Sequence, residues 1–343
     1  MRRPARHTRA MNPTRPLALT MGDPAGIGGE LSLKAWLARR TGRPFVALDD
    51  PDRLSAIART LGLDVPVRTV NAAGAAGSVF RDALPVLPIK LAAAPTPGRA
   101  DPANAAAVIA SIERGTKLTL SGETAAVVTN PIHKSTLYGT GFAYPGHTEF
   151  LAALTGATLP VMMLASPDMR VVPITVHASL RRMLDMITVD RIVAVCRVTA
   201  AALRDHWGIP TPRLAIAGLN PHAGEDGTMG EEEITIIAPA IEQLRAEGYS
   251  VTGPWAADSM FTSAARANYD VAMGMYHDQA LIPLKTLDMH HGVNTTLGLP
   301  IIRTSPDHGT AFAIAGQGIA DATSLIAAID LATELATRKE ARA

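Results

Sequence analysis

Short apolar runs alternate with longer helical stretches along this chain, and that alternation limits the fold more than any other feature. Leu17–Met21 reads as a buried strand, Gly22–Gly29 as a glycine-rich turn, and Glu30–Arg40 as a helix. Pro44–Leu48 and Asp50–Leu61 repeat the pair. Ala125–Thr129 reads as a further strand, and helices are expected over 103–115, 190–207, 231–248 and 321–340. Residues 62–101, rich in Ala, Pro and Gly, should hold short strands and loops rather than a linker. Strands alternating with helices predict an α/β fold around a largely parallel sheet.

Three of the apolar runs close on a histidine: His177, His222 and His277. In open α/β sheets ligands sit outside the strand ends. Three imidazoles with an open fourth position can hold a catalytic divalent metal. Placement alone leaves a metal site and three ordinary loop histidines both open. Asn220 and Asp278 stand close enough in sequence to orient such imidazoles.

Other segments also carry chemistry. Gly22–Gly29 lies between a strand and a helix, where backbone N–H groups can face an anion. Its glycine spacing is not that of the dinucleotide fingerprint. His147, Thr148 and Glu149 open a helix and suit an anionic or hydroxylated ligand. The segment from Tyr276 to Gly316 concentrates polar residues and glycine, with Lys285 and Arg303 as partners for phosphate or carboxylate.

Composition removes several function classes. A net charge of +1 selects neither nucleic acid nor an anionic membrane, and 4% aromatic residues leave few base-stacking platforms. No apolar stretch reaches the ~18–20 residues of a membrane span. The single cysteine, Cys196, allows no intrachain disulfide, which fits a reducing, cytoplasmic setting. It sits in a periodic apolar run and reads as a small core residue. Residues 1–15 read as a basic, disordered tail without the apolar centre of a secretory signal. Met11 is a second candidate start, and residues 16–343 form the expected catalytic unit.

Six motifs then resemble one family in order: Gly-Asp-Pro-Ala-Gly-Ile-Gly, Val-Thr-Asn-Pro-Ile-His-Lys, Pro-Gly-His-Thr-Glu-Phe-Leu, Leu-Asn-Pro-His-Ala-Gly-Glu-Asp-Gly, Tyr-His-Asp-Gln, and the run from Gly292 to Thr310. The chain is similar to the 4-hydroxythreonine-4-phosphate dehydrogenases of vitamin B6 synthesis. The resemblance implies an α/β/α two-subdomain fold like that of isocitrate and isopropylmalate dehydrogenases, with a cleft between subdomains. It implies a homodimer with a shared active site. The metal would be held by His177 and His222 of one subunit and His277 of the other. Substrate would be bound by His147, Thr148, Lys285, Asn294 and Arg303. The cofactor NAD, with NADP as the alternative, would lie against His308, Gly309, Thr310 and Ala311. The general base is left open between Asp278 and a metal-bound water. The metal would be one divalent ion per site: imidazole donors suit zinc or cobalt, and magnesium stays open through availability.

The implied reaction is oxidation of the C3 hydroxyl of 4-phosphooxy-L-threonine to a β-keto acid, which decarboxylates to 3-amino-2-oxopropyl phosphate. The alternatives are a related dehydrogenase of a phosphorylated sugar acid (4-phosphoerythronate or threonate) or of a dihydrodiol, and a non-enzymatic metal- or phosphate-binding protein. Neither nucleic acid nor membrane is an expected partner. One departure is Gly29, where the family usually has Pro, which should loosen the first helix. His290 and His291 are expected to face solvent.

Overall fold

The computed structural model describes residues 14–139 and 141–342. The expected tail, including Met11, lies outside the described residues except for Thr14 and Arg15. Arg15 is held by Glu340 at 3.1 Å.

The twelve strands are β1 (Leu17–Thr20), β2 (Phe45–Asp49), β3 (Val67–Thr69), β4 (Leu84–Pro88), β5 (Val127–Val128), β6 (Val161–Ala165), β7 (Arg170–Pro173), β8 (Arg213–Ala217), β9 (Ser250–Trp255), β10 (Val271–Gly274), β11 (Val293–Leu297) and β12 (Arg303–Pro306). They form one sheet in the order β3-β4-β2-β1-β5-β12-β11-β6-β7-β10-β8-β9. The wing from β3 to β12 is parallel throughout. So is the wing from β7 to β9. Between them the pairings β12/β11, β11/β6 and β6/β7 are antiparallel. The two wings therefore run in opposite directions, an antiparallel centre that the alternation of strands and helices does not announce.

Helices cover both faces, as an α/β/α fold requires. The expected helices are found at Gly28–Arg39, Pro51–Thr60, Ala105–Leu120, Val189–Ala202, Ala238–Ala246 and Thr323–Glu340. Asp50 caps the second, its side chain accepting from the N–H groups of Asp52 and Arg53 with Pro51 at the first position. One continuous apolar core lines a whole face, from Leu17 and Leu19 through Met163 and Ile216 to Leu325 and Ala332. The opposite face carries two separate clusters: one around Val46, Leu48, Val127 and Leu151, the other around Leu164, Val171, Ala272 and Leu284. The gap between those clusters holds the site described below.

Gly29 does not loosen its helix. It is buried, and a Cβ there would stand 2.6 Å from Ile57 Cδ1 and 3.0 Å from Arg53 Nη2. The missing Cβ leaves that space to the ends of the Ile57 and Arg53 side chains, and Arg53 reaches the buried Asp49 at 2.6 Å.

Among the described residues no helix is long and apolar enough to cross a membrane. Cys196 is buried, and burial pushes its thiol up to about 12, so it is not a nucleophile at neutral pH. His290 and His291 are exposed, as expected, with His291 paired to Asp288 at 2.9 Å.

Candidate active site

Side chains alternate faces along a strand, and that parity builds the anion end of the site. Val293, Thr295 and Leu297 of β11 turn one way, while Asn294 and Thr296 face the gap. Arg303, at the start of β12, lies only 4% exposed on that side. Its Nη2 donates to Thr129 Oγ1 at 2.8 Å and its Nη1 to Thr296 Oγ1 at 3.0 Å, with Asn294 Oδ1 at 3.5 Å. These partners are neutral, and among the described residues Arg303 has no ion pair. Burial pushes the guanidinium down to about 10, with Glu149 the opposing influence. A buried cation without a counter-ion is costly, so this one is poised for an anion.

A cavity of about 410 Å³ opens beside it, lined by Thr129, Lys134, His147, Thr148, Glu149, His177, Asn294, Arg303, Ser305, Asp307, His308 and Gly309. His147 begins the helix His147–Thr155, and its Nε2 is enclosed without a hydrogen-bond partner. Burial, then the charges of Arg303 and Lys134, hold the imidazole well below its ordinary 6.5. It is neutral at physiological pH. Lys285 does not line this cavity; its Nζ pairs with Asp307 Oδ2 at 2.7 Å, on the rim.

The three strand-ending histidines follow three adjacent parallel strands. His177 comes after β7, His277 after β10 and His222 after β8, and the sheet order is β7-β10-β8. The rings of His177 and His277 lie 6.1 Å apart within one chain. His277 Nδ1 contacts Asp278 Oδ1 at 2.8 Å. Partial desolvation of a ring that still reaches solvent, then the Lys134 charge, lower the pKa of His177, which favours the neutral form a metal needs. His222 stands on the other side of Tyr276, in a recess with Asp258 and Gln279. Among the described residues no three metal-binding side chains come within reach of one ion. The donor set suits a divalent transition metal, with two imidazoles facing each other and the third apart.

His222 sits in an unusual turn. Residues His222–Asp226 all have left-handed backbone, with φ of 53°, 52°, 79°, 41° and 55°. Each non-glycine residue there costs roughly 1–2 kcal/mol. The Asn220 side chain turns to the acidic residues beyond: its Nδ2 donates to Glu232 Oε2 at 2.7 Å and Glu233 Oε2 at 2.9 Å.

The segment His308–Ala311 packs against the glycine-rich turn. Ile27 N donates to Thr310 O at 3.1 Å, and a Cβ at Gly26 would lie 2.9 Å from that oxygen. Ala311 is left-handed, with φ 47°. His308 and Gly309 line the cavity; Thr310 and Ala311 do not. Sequence reasoning missed Thr129, Lys134 and Ser305 as site residues. Thr129 and Lys134 lie in the Val-Thr-Asn-Pro-Ile-His-Lys motif, where a hydroxyl ending a strand was the available signal. A larger cavity of about 550 Å³, lined by Ile57, Leu61, Leu91 and Pro95, lies apart from the imidazoles.

The fold and the cavity define an α/β protein with a buried guanidinium facing a cavity near strand-end imidazoles. Comparison with known proteins narrows this to one class of dehydrogenase. Residues 40–332 match the family described as pyridoxal phosphate biosynthetic protein PdxA. A 4-hydroxythreonine-4-phosphate dehydrogenase of Methylorubrum populi is 54% identical over 333 residues, covering 94% of this chain and 95% of that protein. The crystal structure of a 4-hydroxythreonine-4-phosphate dehydrogenase from Klebsiella pneumoniae superimposes with a TM-score of 0.84 at 39% identity, covering 94% of this chain and 99% of that one. A terephthalate 1,2-cis-dihydrodiol dehydrogenase from Burkholderia xenovorans superimposes with a TM-score of 0.64 at 28% identity, covering 93% and 98%. The chain belongs to the 4-hydroxythreonine-4-phosphate dehydrogenase family of vitamin B6 biosynthesis, and it is an enzyme.

Proposed function

We propose that the chain oxidises the C3 hydroxyl of 4-phosphooxy-L-threonine with NAD, in a site shared between two copies. The observation that carries this reading is the buried Arg303 guanidinium, partnered among the described residues by oxygens of Thr129, Thr296 and Asn294 and by no carboxylate. A phosphate offers it the charge and the paired acceptors that it lacks. His147 and Thr148, at a helix start beside it, supply further contacts. Lys285 would join the phosphate by releasing Asp307. His308 and Gly309 border the same cavity, so NAD laid along His308–Ala311 would bring its reactive carbon towards the substrate.

The reaction is a two-electron oxidation. The C3 hydrogen leaves as hydride to NAD, the hydroxyl loses its proton, and a ketone forms. The product is a β-keto acid; carbon dioxide leaves and the ketone takes up the electron pair, giving 3-amino-2-oxopropyl phosphate after protonation. A divalent metal held by His177, His222 and His277 would supply Lewis acidity at the hydroxyl. Asp278 is read as the group that orients His277, because its carboxylate is already engaged with Nδ1. The neutral state of His147 keeps a hydrogen-bond acceptor or donor, rather than a second charge, next to the Arg303 cation.

The resemblance pairs His177 with His222 in one chain and takes His277 from a partner copy, whereas the rings that approach each other within this chain are those of His177 and His277, so the shared site rests on the resemblance and not on this spacing. The exposed apolar residues Leu180 and Leu184, just after His177, and Ile282 and Met289, beyond His277, offer a surface for that copy. The gap between the two apolar clusters is read as the cleft between subdomains. A substrate panel tests the reading: 4-phosphooxy-L-threonine should generate NADH, and 4-phosphoerythronate, 4-phosphothreonate and an aromatic dihydrodiol should not. NADH from a dihydrodiol alone would overturn it.

A further inference from the structure

We propose that Glu233 is a positioning residue that fixes the left-handed turn carrying His222, and thereby sets the affinity of the imidazole site for its metal. The inference rests on the reading of His222 as a ligand. Glu233 is 3% exposed, at the start of the π-helical turn Glu233–Ile237. Its Oε1 accepts from the backbone N–H of Leu219 and of Asn220, both at 2.7 Å. Its Oε2 accepts from Asn220 Nδ2 at 2.9 Å. Among the described residues no cation pairs with it. A buried carboxylate satisfied wholly by amide donors is a costly way to close a loop, which points to geometry as its purpose.

The surrounding backbone is shaped to that carboxylate. A Cβ at Gly224 would stand 2.7 Å from Glu233 Oε2, and one at Gly218 would stand 3.0 Å from Oε1. The turn therefore wraps the carboxylate on both sides of His222. A second bridge ties the same turn to the strand end that bears His277. Gln279 Nε2 donates to Gly218 O at 2.8 Å, and Gln279 Oε1 accepts from Met275 N at 2.6 Å. The His222 turn and the His277 helix start are thus linked through one set of polar contacts, with Glu233 at its buried end. A glutamine cannot replace it fully. Its amide nitrogen would face Asn220 Nδ2, donor against donor.

The test is cobalt(II) titration of metal-free full-length protein, followed by ligand-field absorption, with thermal unfolding of the same metal-free samples. Wild type, Glu233→Gln, Asn220→Ala and His222→Ala are compared. Outer-shell groups typically carry about ten- to hundredfold in metal affinity. Glu233→Gln should weaken cobalt binding by about that factor and shift the absorption bands, while metal-free unfolding stays cooperative. Asn220→Ala, which keeps both backbone bonds, should weaken it less; it also carries the test if Glu233→Gln fails to fold. Loss of cobalt in His222→Ala with wild-type affinity in the Glu233 and Asn220 variants would overturn this proposal alone. Wild-type affinity in His222→Ala would overturn the metal reading and this inference with it.

Discussion

The two ends of the site are built in different ways. The anion end is finished within one chain: Arg303 is buried, every partner is on β5, β11 or the loop beyond them, and the cavity is already formed. The imidazole end is open. His177 and His222 are exposed, and His222 stands apart from the other two. A desolvated cation held by hydroxyls must be prepared before the ligand arrives, because its alternative is water. Imidazoles at strand ends can wait in solvent at little cost and be gathered later. On the proposed reading, one end is encoded in the fold of a chain and the other in the contact between chains.

The largest effect should come from the finished end. Arg303→Ala removes two charge-assisted bonds worth roughly 2 kcal/mol each, a loss of about a hundred- to a thousandfold in kcat/KM carried mainly by KM. Steady-state kinetics that show an unchanged KM would remove Arg303 from the phosphate site. The open end should lose less from one outer group. Asp278→Asn should lower metal affinity about ten- to hundredfold, by freeing the His277 ring, with phosphate affinity unchanged. A collapse of kcat without loss of metal would instead make Asp278 the base.

A pH test separates the ends further. His147 is depressed below 6.5 by burial. Near pH 6.5 the unfolded chain takes up a proton on this residue that the folded chain refuses until lower pH. Stability is therefore complete above about pH 6.5 and falls as pH drops through the window below it. Melting curves against pH should show a shallower acid decline in His147→Gln than in wild type. Identical slopes would mean that His147 is not buried as described.

Much of this division was legible in the chain. The strand-closing histidines do follow parallel strands, and those strands are adjacent, although His222 stands in a recess apart from the other two. Asn294 and Arg303 stood out by residue type in a glycine-rich segment. Thr129 and Thr296 did not, since a threonine in an apolar strand reads as β-branched packing until the sheet shows which face it takes. The reversal of the two wings was hidden for the same reason: strand direction depends on pairing partners far apart in sequence. Gly29 misled in a different way. Local propensity says that glycine weakens a helix, but the close approach of Ile57 and Arg53 decides its role. The smallest predicted effect follows: Gly29→Ala should change stability by less than about 1 kcal/mol, because the gain in helix propensity offsets the shift asked of two side-chain ends, seen as a nearly constant melting temperature with unchanged KM.

The most direct measurement follows metal content, NADH formation and phosphate binding of the same protein as it is diluted through dimer dissociation. The account predicts that metal and turnover are lost together with the dimer, while inorganic phosphate still binds the monomer through Arg303. A monomer that keeps its metal and turns over at the rate of the dimer would contradict it.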